Sequence, residues 1–363
     1  LRFFCCVGVR FVLMERKEVE AVLRIMIHMG LPKVYVLLVL MTSWLDGVKL
    51  SGKFDVIEYF AGVGRITRLA SARKYQTAAF DLGYGAPKSS GHRRKRNFKK
   101  KPCMDINGSA GFVLCIILLL QAKYRSFLSI WAICCSSWVS ISRGSSCRCS
   151  FNPMGHPGSS SVQQANKMVS RCILLLMTAI AAGGCPVVEN PGSSLIYLHD
   201  RFQWMIDRLR AIGISVYRQS FWMYHFGHAS WKRTILWSTR SWISVFDKGP
   251  IQKGKHIARV ATSTRYVDKR GRKRFHGSAS LRSTQAYTPA FAAEIVRRFP
   301  AFVSSCQKPP EVIEQKTLCE LIAEMSHDDP WNDAAVYDAF LYVRNSKRLR
   351  IPQSFRSLFP RKQ

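Results

Sequence analysis

The chain has 363 residues, of which 47% are hydrophobic and 21% are charged. This balance is that of a globular protein and excludes a collagen-like, coiled-coil or wholly disordered chain. The charge is unusual, because 55 Lys and Arg residues outnumber 22 Asp and Glu residues and give a formal net charge of +33. A chain this basic needs a polyanion or an acidic surface to limit self-repulsion. Nucleic acid is the first candidate, because neutralising its phosphates releases counterions.

The cysteines and the apolar runs bear on the compartment. The twelve cysteines include no C-x-x-C pair, which argues against a disulfide scaffold and a structural zinc site. We therefore predict an intracellular, reducing compartment (the nucleus if the source is eukaryotic) and no metal. The longest apolar runs, 34–41 and 111–120, are shorter than the roughly 20 residues of a membrane-spanning helix, so no membrane partner is predicted. The first residue is Leu rather than Met, as expected of a fragment.

Alternating strands and helices dominate the middle of the chain. In chain order, helices are predicted at 15–29, 65–74, 111–123, 162–182, 198–212 and 289–298. Strands are predicted at 54–58, 77–80, 127–133, 186–188 and 215–220, with a strand or a buried helix at 34–41. Such alternation predicts an α/β protein with a Rossmann-like, mostly parallel sheet and helices on both faces.

The expected organisation is one domain over 51–300, with a small basic insertion at 247–277. Residues 1–50 form an N-terminal extension without an assigned function, and 301–363 form a C-terminal extension. Both extensions are expected to be irregular, and the basic tail from Arg344 is expected to be a solvated arm.

Two further segments are strongly basic. Residues 93–101 hold seven basic residues, and 248–274 hold ten basic residues and one acidic residue. No packed element tolerates the first density, so a loop is predicted there. We expect phosphate contacts from the second segment, and the alternative is a solvated, disordered loop.

A glycine-containing turn, Phe60-Ala-Gly-Val-Gly64, separates the first strand of the domain from its helix. Glycines there let a ligand approach the backbone, and the helix N-terminus offers free N–H groups. Asp81 ends the next strand, where a carboxylate accepts hydrogen bonds from ribose hydroxyls. Asp105 ends the third segment and is a candidate partner for an adenine amine. Thr67 occupies the third small position of the dinucleotide fingerprint, which disfavours NAD. The pattern predicts a nucleotide-like cofactor; otherwise the glycines only shape a turn and the aspartates are solvated or cap helices.

Six short motifs follow one another along the same domain. They are Glu58-Tyr-Phe-Ala-Gly-Val-Gly64, Asp81, Asp105, Cys134-Cys-Ser-Ser137, Glu189-Asn-Pro191 and Lys232-Arg233. In this order they resemble the motif series of DNA (cytosine-5) methyltransferases, over roughly residues 53–299. The resemblance implies an S-adenosylmethionine-dependent enzyme that methylates carbon 5 of cytosine in nucleic acid, DNA more than RNA.

The resemblance makes Cys135 the expected nucleophile. In the family a Pro-Cys loop supplies a thiolate that adds to carbon 6 of the pyrimidine and activates carbon 5; here Ile133 and Cys134 stand where the prolines normally are. Nearby positive charge favours a thiolate, and Arg143 and Arg148 are candidates for it. The alternative is that both cysteines are ordinary core residues.

Glu189 and Arg233 complete the expected catalytic set. In the family a Glu-Asn pair contacts the ring nitrogen of the flipped cytosine, and a later cation contacts the base or its backbone. Lys232 fits the second role as well as Arg233 does. The structural alternatives are a simple turn at Asn190-Pro191 and surface cations lying over tryptophans.

The resemblance also implies that S-adenosylmethionine is held by Phe60, Gly62, Gly64, Asp81 and Asp105. The last motif of the family, a Gly-Asn-Ser turn and a helix, corresponds in position to 281–295, where Ser283-Thr284 replaces Gly-Asn.

Two other classes of protein stay open. One is a catalytically inactive relative that binds nucleic acid through its basic surface. The other is an unrelated nucleotide-binding oxidoreductase, which only the glycine turn and Asp81 favour.

Overall fold

The structure is a computed structural model. It describes residues 16–48, 50, 52–85, 103–251, 263–269, 271, 273–277, 284–304, 315–326 and 334–359. The predicted loop at 93–101 and about half of the basic segment 248–274, residues 252–262, 270 and 272, lie outside these residues. None of the helices in the described ranges is long and apolar enough to cross a membrane.

The described residues form helices and strands that alternate through the middle of the chain. The helices are α1 (Arg16–His28), α2 (Lys33–Ser43), α3 (Arg65–Ala72), α4 (Ser109–Leu120), α5 (Arg143–Ser146), α6 (Ser160–Ala181), α7 (Asp200–Ala211), α8 (Pro289–Ser304), α9 (Leu318–Glu324) and α10 (Ala334–Arg344). The strands are β1 (Val56–Tyr59), β2 (Thr77–Phe80), β3 (Leu128–Trp131), β4 (Cys185–Pro191), β5 (Tyr217–Trp222), β6 (Arg233–Ser238), β7 (Ser263–Val267) and β8 (Lys273–Gly277). Short 3-10 turns connect several of them.

Six of the strands form one sheet in the order β2-β1-β3-β4-β6-β5. The pairs β1–β2, β1–β3 and β3–β4 are parallel, which confirms the prediction of a mostly parallel sheet in an α/β protein. β6 runs antiparallel to both β4 and β5, a reversal that the alternation of elements did not predict. The connection from β5 to β6 has no crossover helix, and only an antiparallel pair can be joined so briefly. β7 and β8 pair separately as a hairpin within the predicted insertion.

Helices cover both faces of the sheet, because alternate residues of each strand point to opposite sides. On one face Tyr59 and Trp131 belong to a large core that also includes residues of α1, α2, α4, α6 and α7. On the other face Val56 and Ile130 belong to a second core that includes residues of α3 and α8. The sheet is therefore buried on both sides, as its short apolar strands require.

The N-terminal segment is helical. α1 confirms the helix predicted at 15–29, and the prediction of an irregular extension is wrong for residues 16–43. The run 34–41 is a buried helix rather than a strand. Eight consecutive residues of α2, from Tyr35 to Thr42, are buried, and a helix that is apolar all round belongs in a core. The phenol of Tyr35 shares a hydrogen bond of 2.8 Å with Thr178 of α6, which fixes α2 against the main domain.

The C-terminal segment also joins the main core, which corrects the prediction of an irregular, solvated arm. Arg171 of α6 is fully buried and donates to Asp338 of α10 at 2.7 Å. After α10 the chain folds back along the end of α2, where Trp44 lies 5.0 Å from Phe355 and 6.3 Å from Phe359 between ring centroids. Aromatic side chains, not the basic ones between them, decide this path.

Candidate active site

The register of the parallel strands brings their carboxyl ends to one edge of the sheet. Tyr59 pairs with Phe80 and with Trp131, and Trp131 pairs with Val188. The next residues along these four strands are Phe60, Asp81, Ala132 and Glu189. The predicted cofactor turn and the predicted carboxyl of the catalytic site therefore start from the same edge, where α/β proteins bind ligands.

The glycine turn has an unusual backbone. Phe60, Gly62 and Gly64 have φ values of 58°, 54° and 63°, and a bulky residue in this left-handed region is strained, as often occurs at functional sites. A Cβ at Gly64 would lie 3.0 Å from the hydroxyl of Tyr84 and 3.1 Å from that of Thr67, whereas Gly62 faces open space. Gly64 is thus needed for close packing, and Gly62 leaves the backbone accessible.

Asp81 joins the end of β2 to the glycine turn. Its Oδ2 accepts a hydrogen bond of 2.9 Å from the amide of Gly62, and its Oδ1 accepts one of 2.8 Å from the amide of Gly83. The second bond is the capping role that we gave as the alternative. Each carboxylate oxygen retains a further lone pair, so Asp81 also has capacity for ligand hydroxyls.

Asp105 lies in the turn before α4. Its Oδ1 accepts from the amide of Asn107 at 2.9 Å. A Cβ at Gly111 would lie 2.1 Å from the carbonyl oxygen of Asp105, so α4 needs this glycine to reach the turn. The side chain of Asp105 closes its own turn.

Glu58 is a buried carboxyl of the site that the motif contained but that we did not single out. Its side chain is fully buried at the third position of β1, and Oε2 accepts from the amide of Thr67 at 2.9 Å and lies 3.0 Å from its hydroxyl. Burial raises the pKa of Glu58, and Oε1 has no hydrogen-bond partner among the described residues. Thr67, at the third fingerprint position, therefore holds a carboxyl at the base of the glycine turn.

Cys135 follows β3 in a loop that Trp138 anchors. The amide of Trp138 donates to the carbonyl of Cys135 at 2.9 Å, and the indole is fully buried. Burial, and next the carboxylate of Glu189, raise the pKa of the Cys135 thiol to about 12. The thiol is therefore protonated at neutral pH. Cys135 follows β3 and Glu189 lies on the adjacent strand β4, so the predicted nucleophile and the predicted carboxyl lie at the same edge of the sheet.

Lys232, rather than Arg233, is the cation beside this pair, which corrects our choice of Arg233. Lys232 Nζ lies 3.4 Å from Glu189 Oε1, and its charge lowers the pKa of Cys135. Arg233 is exposed; its Nε donates to Ser220 at 2.9 Å, and its guanidinium lies 5.6 Å from the ring of Trp222 on β5.

The two arginines expected to activate the thiol have other positions. Arg143 is exposed. Arg148 is buried over the ring of Trp138 at 3.4 Å and donates to Asn166 at 2.9 Å. Its role is to hold the loop after β3 against α6.

Tyr287 is a further member of the site that the sequence did not reveal. It lies just before α8 and is 8% exposed. Burial, and next the carboxylates of Glu189 and Glu58, raise the pKa of its phenol. Tyr287 belongs to the core on the face of the sheet that Glu58 and Glu189 share.

Several buried polar atoms at this edge lack a hydrogen-bond partner within the part of the chain that the structure describes. They are Glu58 Oε1, Glu189 Oε1 (which has only the ion pair with Lys232 at 3.4 Å), Asn190 Nδ2, Thr234 Oγ1 and Tyr287 Oη. An unsatisfied buried polar group is costly and therefore rare in a folded protein. Five of them around one strand edge fit a site for a polar ligand with both donors and acceptors.

The two histidines near Lys232 have structural roles. His225 Nε2 lies 3.1 Å from the carbonyl of Gly249, and His228 Nδ1 accepts from the amide of Ser230 at 3.1 Å. Within the described ranges, no group of three or more His, Cys, Asp and Glu side chains is arranged to hold a metal ion.

Comparison with protein-family models, with curated proteins and with solved structures finds no match to this chain. Its function must therefore be argued from the geometry of the sheet edge.

Proposed function

We propose that this protein is an S-adenosylmethionine-dependent methyltransferase that acts on carbon 5 of cytosine in nucleic acid. Cys135 is the nucleophile and Glu189 supports the pyrimidine ring. Lys232 is the cation that contacts the base or its backbone, a role for which the motif also contains Arg233.

The cofactor site that we propose lies at the glycine turn. Among Phe60, Gly62 and Gly64, Gly62 provides the exposed backbone and Gly64 the close packing that shapes the turn. Asp81 provides acceptors for the ribose hydroxyls. Asp105 remains the candidate for the adenine amine, although its carboxylate already accepts from Asn107. The donor and acceptor groups at this edge suit a polar cofactor, which supplies an electrophilic methyl group when bound.

We infer that the sheet is Rossmann-like. From β1 the chain moves to β2 on one side and then to β3 on the other, so the strand order reverses between β1 and β3. Such a switch point opens a crevice at the carboxyl ends of the strands, where nucleotide cofactors bind. The glycine turn follows β1 and the Cys135 loop follows β3, so both border this crevice.

The position of Cys135 and Glu189 at one edge of the sheet is the observation that carries the proposal. The two residues come from neighbouring strands, and the negative charge of Glu189 raises the pKa of the thiol. Cys135 follows β3, and Glu189 is the first residue of β4 beyond its parallel pairing with β3. A thiol and a carboxyl side by side, next to a cofactor-type turn, are the groups that this reaction needs.

The chemistry then proceeds through the residues of the chain. The Cys135 thiol passes its proton to Glu189, and the sulfur adds to carbon 6 of cytosine. Glu189 donates the proton to the ring nitrogen, so no net charge develops on the ring. Carbon 5 takes the methyl group and loses its own proton to solvent, and the sulfur leaves as the ring double bond re-forms. The ring nitrogen then returns its proton through Glu189 to the sulfur, which restores the thiol and the carboxylate. Because carbon 6 is inaccessible within a base stack, the cytosine must leave the stack first.

The basic charge supports nucleic acid as the substrate. The segment 93–101, with seven basic residues, lies in sequence between Tyr84, beside the glycine turn, and Asp105. Contacts between basic side chains and phosphates give affinity for nucleic acid without reading the base sequence.

A methyl-transfer assay on DNA and RNA tests the proposal. Wild-type protein is expected to transfer label from S-adenosylmethionine to cytosine, and Cys135→Ala is expected to transfer none. Cys134→Ala, which removes the exposed neighbouring thiol, is the matched control and retains transfer. Undiminished transfer by Cys135→Ala would contradict the assignment.

The second candidate is a methyltransferase-like protein that binds nucleic acid without catalysis. The raised pKa of Cys135, about 12, favours it, since the unliganded site holds the thiol in its unreactive form. It predicts nucleic-acid binding that weakens steeply with salt, cofactor or not, and no methyl transfer.

A further inference from the structure

The ring of Tyr287 is fixed by the start of α8. Thr288 caps this helix, since its hydroxyl accepts from the amide of Phe291 at 3.2 Å, and Pro289 occupies the first helical position that proline favours. The ring of Tyr287 lies 5.0 Å from that of Phe291. Since Phe291 is fully enclosed in the core between α3 and α8, the Tyr287 ring has little freedom to turn.

The phenol faces two carboxyls on one side of the sheet. Glu58 pairs with Ile130, and Ile130 pairs with Val187, two residues before Glu189. Residues two apart on a strand share a face, so Glu58 and Glu189 project towards the core that contains Tyr287. The Tyr287 hydroxyl and Glu58 Oε1 lack a hydrogen-bond partner among the residues that the structure describes, and Glu189 Oε1 has only the ion pair with Lys232.

We propose that Tyr287 is a positioning residue of this site, whose phenol donates a hydrogen bond to Glu189 and holds that carboxyl in a fixed orientation towards Cys135. The purpose of this orientation, which is to present Glu189 to a pyrimidine ring, rests on the proposed function. The contact between the two side chains is independent of it.

The contact has a measurable consequence at Cys135. The groups that act on the Cys135 thiol are Glu189, Cys134 and Lys232. A phenol that donates to Glu189 withdraws part of the negative charge that Glu189 presents to the sulfur. Removing the hydroxyl therefore increases the field of the carboxylate and reduces the thiolate fraction of Cys135.

A double-mutant cycle between Tyr287→Phe and Glu189→Gln tests this contact, with the alkylation rate of Cys135 between pH 8 and pH 10 as the readout. Peptide mass spectrometry separates Cys135 from the other cysteines. Tyr287→Phe is expected to slow alkylation about threefold, as half a pKa unit would, and Glu189→Gln to accelerate it. In the Glu189→Gln background, Tyr287→Phe should have no effect, because the charge through which it acts is gone.

Tyr75→Phe is the matched control. Its ring lies 4.8 Å from Phe299 of α8, so it removes a phenol beside the same helix, and it should leave the alkylation rate unchanged. A second variant keeps the hydroxyl: 3-fluorotyrosine at position 287, a more acidic and stronger donor, should accelerate alkylation. This variant tests the contact even if Tyr287→Phe folds poorly.

Equal slowing in both backgrounds, or faster alkylation in Tyr287→Phe alone, would overturn the proposal, since either indicates a packing effect. The assay needs neither cofactor nor nucleic acid. If wild-type protein transfers no methyl group, the proposed function fails while the cycle still decides whether Tyr287 acts through Glu189.

Discussion

Lys232 Nζ lies 3.4 Å from Glu189 Oε1, and both side chains are largely buried where β6 begins beside the end of β4. Glu189 raises the pKa of the Cys135 thiol, and Lys232 lowers it. The reactivity of Cys135 therefore depends on how completely the lysine offsets the carboxylate.

Replacing this lysine should make Cys135 less reactive. Lys232→Met removes the positive charge, so the pKa of the thiol rises further and its alkylation at pH 9 should slow about three- to tenfold. Arg233→Met is the control, because the Arg233 guanidinium contacts Ser220 and Trp222 of β5. An equal effect of both variants would mean that general surface charge, not the contact with Glu189, controls the thiol.

Cofactor binding should depend on the close packing of Gly64 in the glycine turn. Gly64→Ala places a Cβ 3.0 Å from the Tyr84 hydroxyl and should weaken S-adenosylmethionine binding at least about tenfold in calorimetry. That loss corresponds to roughly 1.4 kcal/mol. Gly213→Ala is the matched control, since Gly213 also has positive φ, at 76°, but its Cβ meets open space. Backbone strain at positive φ should lower the free energy of unfolding of both variants by about 1 kcal/mol. Heat of binding that is absent in wild-type protein, or unchanged in Gly64→Ala, would contradict the cofactor site.

His199 should make the fold sensitive to acid. Burial, and next the charge of Arg201, lower the pKa of His199 to about 3, below that of a histidine in the unfolded chain. Between these two pKa values the unfolded state binds a proton at His199 and the folded state does not. The free energy of unfolding therefore falls as the pH decreases from about 6.5 towards 3, by up to ~1.4 kcal/mol per pH unit.

His199→Asn separates this effect from helix capping. His199 Nδ1 accepts from the amide of Arg201 at the start of α7, and an Asn oxygen can replace it. Urea unfolding between pH 7 and pH 5 should show a shallower pH dependence in this variant. His156→Asn, at an exposed position, should keep the wild-type dependence; a variant at 199 that keeps it too would show that His199 protonates in the folded state.

The C-terminal segment should contribute to stability through its aromatic side chains. Phe355→Ala removes a half-buried ring that contacts Trp44 and should cost about 1–2 kcal/mol of the free energy of unfolding. Phe151→Ala removes a ring that is 98% exposed and should change stability by less than about 0.5 kcal/mol. If both variants are equally stable in urea unfolding, the ring of Phe355 contributes nothing to the core and the prediction of a solvated arm is the correct one.

The sequence predicted those parts of the site that directly follow strands. The glycine turn, Asp81 and Glu189 could be placed together because parallel strands bring their carboxyl ends to one edge. The alternation of elements could not predict that β6 reverses direction. It therefore could not predict which of Lys232 and Arg233 enters the site. Neighbouring residues at the start of a strand point to opposite faces, so one unknown register decides which cation enters the site.

The residues that were missed depend on tertiary packing. Tyr287 enters the site only because α8 packs against α3, and no periodicity in the sequence encodes that contact. Glu58 did leave a signal: it is the single charged residue of a four-residue strand that is otherwise apolar. A charge at such a position is buried by necessity and marks either a structural bond or a site.

Covalent trapping tests the central claim most directly. Oligonucleotides of DNA and RNA that contain 5-fluorocytosine are incubated with the protein and S-adenosylmethionine, and the product is digested for mass spectrometry. The fluorine at carbon 5 prevents the final loss of a proton, so the sulfur stays attached to carbon 6. We predict a denaturation-resistant adduct on the peptide that contains Cys135, retained in Cys134→Ala and absent in Cys135→Ala. No adduct with either nucleic acid, or an adduct that persists in Cys135→Ala, would contradict the account.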